Sequence, residues 1–82
     1  MKVTIYSTKT CGYCHMLKNW LDEKKINYTD YSVDQNPIAA QHMVQLSGQM
    51  GVPFTVIEKD DGKSESILGF NKQKFEEILR TN

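Results

Sequence analysis

The segment IYSTKTCGYC, residues 5–14, joins a strand-like stretch to a helix-like one through two closely spaced cysteines. Residues 2–7 alternate apolar and polar side chains with the period of two that indicates a β-strand. Farther along, apolar side chains recur at helical spacing, which predicts a first helix over residues 13–25. The cysteine pair therefore lies at a strand-to-helix junction, and this junction sets the order of the first elements.

The middle of the chain continues the alternation of strands and helices. Residues 28–33 are rich in β-branched and aromatic side chains and predict a second strand. A second helix follows, with Asn36 as its N-cap, Pro37 in its first turn and Gly48 as its C-cap. Its apolar face is predicted to contain Ala39, Ala40, Met43, Val44 and Leu46.

The last third of the chain predicts a hairpin followed by a helix. Residues 53–58 and 64–68 are β-prone, and the Asp-Gly dipeptide within the connecting residues 59–63 favours a tight turn between antiparallel strands. Asn71 is placed to cap a last helix, after which residues 81–82 are expected to fray. The buried face of that helix is predicted to contain Phe75, Ile78 and Leu79.

The predicted element order is β-α-β-α-β-β-α. A right-handed crossover makes the first two strands parallel, and the hairpin completes a mixed four-stranded sheet flanked by three helices. By element order alone this is an α/β, thioredoxin-like fold. Because the 82 residues contain no linker-like run of Pro, Gly or Ser, we expect a single domain over residues 1–82.

Composition excludes several classes of partner. Lys and Arg together number 10 and are balanced by 10 Asp and Glu, so no basic stripe is available for nucleic acid or an anionic membrane. The N-terminus lacks the apolar run of a signal peptide, and no stretch approaches the roughly 18 apolar residues that span a bilayer. We therefore expect a cytoplasmic monomer with no nucleic-acid or membrane partner.

The two cysteines are the candidate functional residues, since ordinary thiols stay reduced in the cytosol. Cys11 precedes the first helical turn, where unpaired N–H groups and the helix dipole stabilise a thiolate, so we expect it to be a nucleophile. Cys14, one turn later, is placed to attack a mixed disulfide on Cys11 and leave an internal Cys11–Cys14 disulfide. Lys9 is either a positive charge beside the thiolate or a solvated loop lysine, and both interpretations stay open.

Three other interpretations of the cysteines are less favourable. A purely structural disulfide is disfavoured because so short a loop constrains the unfolded chain little. Residues 11–15 match the C-x-x-C-H haem-attachment signature, but the strand-to-helix position and the missing signal peptide disfavour haem. Both cysteines with His15 and His42 equal the ligand number of a zinc site, yet His15 would point away from the pair and His42 is isolated within a helix. We therefore expect no bound metal.

Together with the cysteine junction, the GVPF motif at residues 51–54 makes the chain resemble the glutaredoxin family over nearly its whole length. Residues 5–14 look like the segment that leads into the active site of that family, and the Val-Pro pair looks like its cis-proline loop. More narrowly, LSGQMGVP at residues 46–53, followed by Gly69-Phe70, is similar to the YruB-type glutaredoxin-like proteins. The Gly-Phe pair also resembles that of the redoxins that reduce ribonucleotide reductase and take electrons from thioredoxin reductase.

The resemblance implies a thiol–disulfide oxidoreductase that reduces protein or glutathione mixed disulfides through Cys11 and Cys14, with no bound cofactor. Its implied partners are a disulfide-containing protein and an external electron donor, either glutathione or an NADPH-linked thioredoxin reductase. A cis Val52–Pro53 bond would present the Val52 backbone to Cys11 and to an extended substrate. The candidate contacts for substrate or glutathione are Lys9, Tyr13, Val52, Pro53, Gly69 and Phe70.

Three departures from the family pattern limit what the resemblance implies: the first concerns redox poise and access to the thiolate, and the other two weigh against glutathione binding. Gly12 stands where typical dithiol members carry proline, Thr8 aligns with their glutathione-recognising lysine, and residues 69–71 replace their glutathione loop. The alternative function is a carrier in which Cys11, with glutathione, holds an iron–sulfur cluster between two subunits. Gly12 would free the turn for a bridging cluster, whereas the altered glutathione loop weighs against it.

Overall fold

The computed structural model describes residues 1–80. Its elements, in chain order, are β1 (Lys2–Ser7), α1 (Gly12–Glu23), β2 (Thr29–Ser32), α2 (Pro37–Ser47), β3 (Phe54–Glu58), β4 (Ser64–Leu68) and α3 (Lys72–Arg80). This is the predicted order of strands and helices. The fraying predicted for residues 81–82 lies outside the described residues.

The four strands form one mixed sheet in the order β2-β1-β3-β4. β1 is parallel to β2 and antiparallel to β3, and β3 is antiparallel to β4. The predicted thioredoxin-like topology is therefore confirmed. In the register of these strands, Phe54 lies opposite both Tyr6 and Leu68. The chain leaving β1, the chain entering β3 and the chain leaving β4 consequently meet at one end of the sheet.

Each face of the sheet has its own apolar cluster because successive strand residues point to opposite sides. One cluster joins the sheet to α1 and α3, and it contains Val3, Ile5, Leu17, Trp20, Leu21, Ile57, Ile67, Phe75 and Ile78. The other joins the sheet to α2, and it contains Tyr6, Ala39, Met43 and Phe54. The larger cluster holds α1, the helix that begins at the cysteines.

The first helix ends at Glu23, two residues earlier than predicted. Lys25 adopts a left-handed backbone conformation with φ of 57°. Its N–H donates to the Asp22 carbonyl and the Ile26 N–H donates to the Leu21 carbonyl, both at 3.0 Å. These two bonds form a Schellman-type helix end without the glycine that usually provides it, which explains why the sequence did not mark this boundary.

Two strands are also shorter than predicted. β2 covers Thr29–Ser32 instead of residues 28–33, and β3 begins at Phe54 instead of Pro53. Proline has no N–H to donate to a neighbouring strand, so pairing starts at the residue after it.

The apolar face of α2 is narrower than predicted. Ala39 and Met43 are buried against the sheet, whereas Val44 and Leu46 are 38% and 60% exposed. Ala39 and Met43 lie about one helical turn apart on the side of α2 that packs against Tyr6 and Phe54. No helix within residues 1–80 is long and apolar enough to cross a lipid bilayer.

Thr55 carries a buried hydroxyl at the centre of the sheet. It is fully buried and lies between its cross-strand neighbours Ile5 and Ile67. Its Oγ1 has no hydrogen-bond partner within residues 1–80. Burying such a group without a partner costs on the order of 1–3 kcal/mol.

Replacing this hydroxyl with a methyl group should stabilise the protein. We expect Thr55→Val to raise the free energy of unfolding by about 1 kcal/mol, since valine keeps the β-branched shape and removes the unpaired polar atom. Urea unfolding followed by Trp20 fluorescence measures the change. The control Thr55→Ser keeps the hydroxyl and loses a methyl group, so it should destabilise the fold. A valine variant less stable than the parent would contradict this assignment.

Candidate active site

Cys11 is the N-cap of α1. Its backbone is extended, with φ of −85° and ψ of 110°, and its Sγ accepts a hydrogen bond from the Cys14 N–H at 3.1 Å. In most helices an oxygen of Ser, Thr, Asp or Asn performs this capping. Because unpaired N–H groups and the positive end of the helix dipole face this sulfur, the arrangement stabilises a negative charge on it.

Cys14 lies one helical turn from Cys11 and differs from it in exposure. Cys14 is fully buried, whereas Cys11 is only half-buried. The two sulfurs are in disulfide contact, with a Cα–Cα distance of 5.2 Å that is ordinary for a disulfide. Of the two cysteines, only Cys11 is open to solvent, while Cys14 contacts the Cys11 sulfur from the buried side.

The Val52–Pro53 segment faces the Cys11 sulfur. The peptide bond between these residues is cis, as the resemblance implied. The Val52 carbonyl oxygen lies 3.9 Å from the Cys11 Sγ. The Pro53 carbonyl accepts the Gly69 N–H at 2.7 Å, and Gly69 has φ of 81°, a left-handed conformation that favours glycine. The ends of β1, β3 and β4 thus meet around the cysteines.

Lys9 is held by its backbone. Its N–H donates to the Asp34 carboxylate at 3.2 Å, and its carbonyl accepts from the His15 ring Nε2 at 2.7 Å. Its ammonium has no partner within residues 1–80. His42 is exposed on α2, and no three His, Cys, Asp or Glu side chains in the described part of the chain form a group that could hold a metal.

The aromatic candidates Tyr13 and Phe70 occupy different environments. Tyr13 is 66% exposed on the first turn of α1. Phe70 packs into the core, with its ring centroid 5.9 Å from that of Trp20 and 6.2 Å from that of Phe75. The structure therefore brings Cys11, Cys14, Val52, Pro53 and Gly69 together, leaves Lys9 and Tyr13 exposed, and uses Phe70 to anchor the chain next to Gly69.

Several large apolar side chains are exposed on the segments that meet at the cysteines. We call them the apolar collar: Tyr13, Met16, Met50 and Leu68, which are 66%, 52%, 75% and 58% exposed. Tyr13 and Met16 lie on α1, Met50 lies in the loop before Pro53, and Leu68 ends β4.

A hydrogen-bonded polar pair at the end of β1, formed by Ser7 and Asp30, was not predicted from the sequence. The fully buried Ser7 donates from its hydroxyl to the Asp30 carboxylate at 2.6 Å, and the Lys18 ammonium lies 3.0 Å from the other Asp30 oxygen. A signal was present, because Ser7 occupies the same strand face as the apolar Val3 and Ile5. These contacts tie the end of β1 and the body of α1 to β2.

Two tyrosines have a raised pKa. For Tyr6 the main cause is burial, which disfavours the phenolate, and Tyr31 adds to it. For Tyr28 the pKa is raised chiefly by burial, then by the charge and hydrogen bond of Asp22, and then by the charge of Asp30. Both phenols are neutral near pH 7 and add no charge to the site.

Comparison with known proteins identifies the family. The family model for glutaredoxin matches residues 3–61. The chain belongs to the glutaredoxin family. It is 34% identical over 77 residues to a glutaredoxin-like 8.6 kDa protein in the rubredoxin operon of Clostridium pasteurianum, covering 94% of this chain and 96% of that protein.

Two further relatives carry the name NrdH. This glutaredoxin is 36% identical over 59 residues to the glutaredoxin-like protein NrdH of Lactococcus lactis, covering 72% of this chain and 78% of that protein. The solved NrdH-redoxin of Escherichia coli superposes with a TM-score of 0.76 at 26% identity, covering 95% of each chain. Proteins of this family are thiol–disulfide oxidoreductases, and this glutaredoxin is one of them.

The first residue of α1 in this glutaredoxin is compatible with proline. A Cβ placed on Gly12 would meet no atom within 4 Å. Proline is favoured at the first position of a helix, and the residue before it must be extended, as Cys11 is with ψ of 110°.

We expect Gly12→Pro to raise the free energy of unfolding of the oxidised protein by about 0.4–1 kcal/mol, because proline restricts the unfolded chain at a position whose native backbone suits it. Urea unfolding monitored by Trp20 fluorescence tests this. Gly12→Ala is the matched control for adding a Cβ without a ring. Destabilisation by proline would mean that the turn depends on the freedom of glycine.

Proposed function

We propose that this glutaredoxin reduces disulfide bonds in protein substrates, with Cys11 as the attacking thiolate and Cys14 as the resolving thiol. The observation that carries the proposal is the difference in exposure between the two cysteines, since Cys11 is half-buried and Cys14 fully buried. A substrate disulfide can meet Cys11 alone. Cys14 can then meet only the mixed disulfide that forms on Cys11.

The reaction balances in two exchanges. The Cys11 thiolate attacks one sulfur of the substrate disulfide, so a Cys11–substrate bond forms, the substrate S–S bond breaks and the leaving thiolate takes up a proton. Cys14 then loses its proton and attacks the Cys11 sulfur, forming the Cys11–Cys14 disulfide and releasing the second substrate thiol. The substrate gains two electrons, and an external reductant returns two electrons and two protons to the protein.

The surroundings of Cys11 favour a protein partner over glutathione. Glutathione carries two carboxylates and an amine, whereas the apolar collar and all the candidate contacts except Lys9 are uncharged. Thr8 stands where the family pattern has a glutathione-recognising lysine, and the Asn71 carboxamide is used to cap α3 by accepting the Lys74 N–H at 3.2 Å. We therefore propose an NADPH-linked thioredoxin reductase as the electron donor, in line with the thioredoxin-like activity profile described for the NrdH-redoxin of Escherichia coli.

The proposed compartment is the cytoplasm. A dithiol that donates electrons must itself be kept reduced, and the thioredoxin and glutathione systems maintain thiols in that state there. Residues 1–82 are proposed to act as one domain that needs no bound cofactor for this exchange.

The two cysteine variants should behave differently. Cys11→Ser should reduce disulfide-reductase activity to the uncatalysed rate, because no accessible thiolate remains. Cys14→Ser should still attack and should accumulate a mixed disulfide on Cys11, which intact-mass spectrometry detects as an adduct. In the reduced parent protein, iodoacetamide should modify Cys11 at a pH below that needed for an ordinary free thiol. Normal activity of Cys11→Ser would refute the proposal.

The electron donor can be assigned by a paired assay. NADPH oxidation is measured during reduction of insulin disulfides, with either thioredoxin reductase or glutathione plus glutathione reductase as the electron source. We expect turnover to be at least about tenfold faster with thioredoxin reductase, a difference of about 1.4 kcal/mol in transition-state stabilisation. Faster turnover with glutathione would overturn the donor assignment, and visible charge-transfer absorption after anaerobic purification would favour the iron–sulfur alternative.

A further inference from the structure

The loop between α2 and Pro53 is held together by the side chain of Gln49. The side-chain nitrogen Nε2 of Gln49 donates to the Gly51 carbonyl at 3.3 Å, and the side-chain oxygen Oε1 of Gln49 accepts from the Gly51 N–H. The amide therefore pairs with both backbone groups of Gly51, as a neighbouring β-strand would. No periodicity or capping rule in the sequence indicates this contact.

Ser47 connects the Gln49 amide to the end of α2. Its hydroxyl lies 2.6 Å from the backbone carbonyl of Met43 and 3.0 Å from the backbone carbonyl of Gln49. The same hydroxyl accepts from the side-chain Nε2 of Gln49 at 3.1 Å. We call Ser47, Gln49 and Gly51 with these bonds the amide clamp. Because its anchor is a helical carbonyl, the clamp fixes the loop relative to α2.

The glycine at position 51 is required for the clamp to close. A Cβ on Gly51 would lie 2.6 Å from the Gln49 amide oxygen, closer than real Cβ atoms approach other atoms. The obstructed atom belongs to a flexible side chain, so an alanine at this position would displace the amide and leave the backbone path available. Gly51 and Gln49 thus form one unit.

The clamp lies directly before the residue that faces Cys11. Gly51 has its N–H and carbonyl paired with Gln49, and the next residue, Val52, presents its carbonyl 3.9 Å from the Cys11 sulfur. The Val52 N–H has no partner within residues 1–80. Because Gln49 pairs with both the N–H and the carbonyl of Gly51, it fixes the peptide that leads into Val52, and the Val52 N–H and carbonyl stay available beside Cys11.

We propose that Gln49 is a positioning residue for substrate recognition: through the amide clamp it orients the Val52 peptide groups so that an extended cysteine-containing segment pairs with them while its disulfide meets Cys11. This inference rests on the proposed disulfide-reductase function. The amide clamp thereby favours extended polypeptide substrates, because these offer backbone N–H and carbonyl groups that can pair with Val52. Small disulfides without a peptide backbone do not use it.

The test compares two disulfides in the reduced protein. One is a short unstructured peptide dimer joined by a single disulfide, and the other is hydroxyethyl disulfide. In Gln49→Ala we expect the second-order rate constant with the peptide to fall about threefold to tenfold, the range expected for losing the net effect of one or two hydrogen bonds. The rate with hydroxyethyl disulfide and the rate of iodoacetamide alkylation at Cys11 should stay unchanged.

Further variants separate positioning from general destabilisation. Gly51→Ala should produce the same selective loss, and the Gln49→Ala/Gly51→Ala double variant should lose no more than either single variant, because both break one clamp. Gln49→Glu keeps the side-chain shape and loses the amide donor, so it should also be impaired with the peptide. Gln45→Ala removes an exposed glutamine of α2 that makes no hydrogen bond with a described side chain, and it should match the parent.

The outcomes distinguish this inference from the proposed function. Equal slowing with both disulfides, no change with either, or additive losses in the double variant would overturn the role of Gln49 while leaving the function intact. Activity that survives Cys11→Ser with both disulfides would refute the function itself.

Discussion

The hydrogen bond from the Cys14 N–H to the Cys11 sulfur is the contact on which both the first helix and the reactive site depend. A helix start leaves backbone donors unpaired, and a cap that satisfies one of them stabilises the protein by about 0.5–2 kcal/mol. Here the acceptor is a sulfur, which accepts weakly as a thiol and strongly as a thiolate. In the function proposed above, deprotonation of Cys11 would therefore strengthen the helix cap and create the attacking thiolate in the same step.

The register of the sheet brings the Pro53 loop next to the cysteines. Phe54 pairs with both Tyr6 and Leu68, so the loops adjoining these three residues open at one end of the sheet. One loop carries the cysteines, another carries Pro53, and the third is tied to Pro53 through the Gly69 N–H at 2.7 Å. The reactive sulfur and the backbone opposite it are positioned by strand pairing in the core, which is more rigid than any single loop.

Much of the fold could be predicted from local patterns. Alternation in β1, the Asn36 and Gly48 caps of α2, and the Asp-Gly turn of the hairpin are each determined within a few residues, and they appear as expected. The end of α1 at Glu23 was not predicted, because the left-handed position that follows it is occupied by Lys25, where glycine is usual. The narrower face of α2 was missed because periodicity states which residues are apolar, whereas the contact with the sheet decides which of them are buried.

For the site, the sequence by itself determined the position of the cysteine pair, since two cysteines at a strand-to-helix junction place one sulfur at a helix N-terminus and the other one turn later. The tertiary structure decided which cysteine is buried, that Phe70 packs against Trp20 and Phe75, and that Gln49 pairs with Gly51. The physical reason is the separation along the chain over which each interaction acts. Capping and periodicity act between residues a few positions apart, whereas burial and side-chain pairing depend on how distant segments are brought together around the sheet.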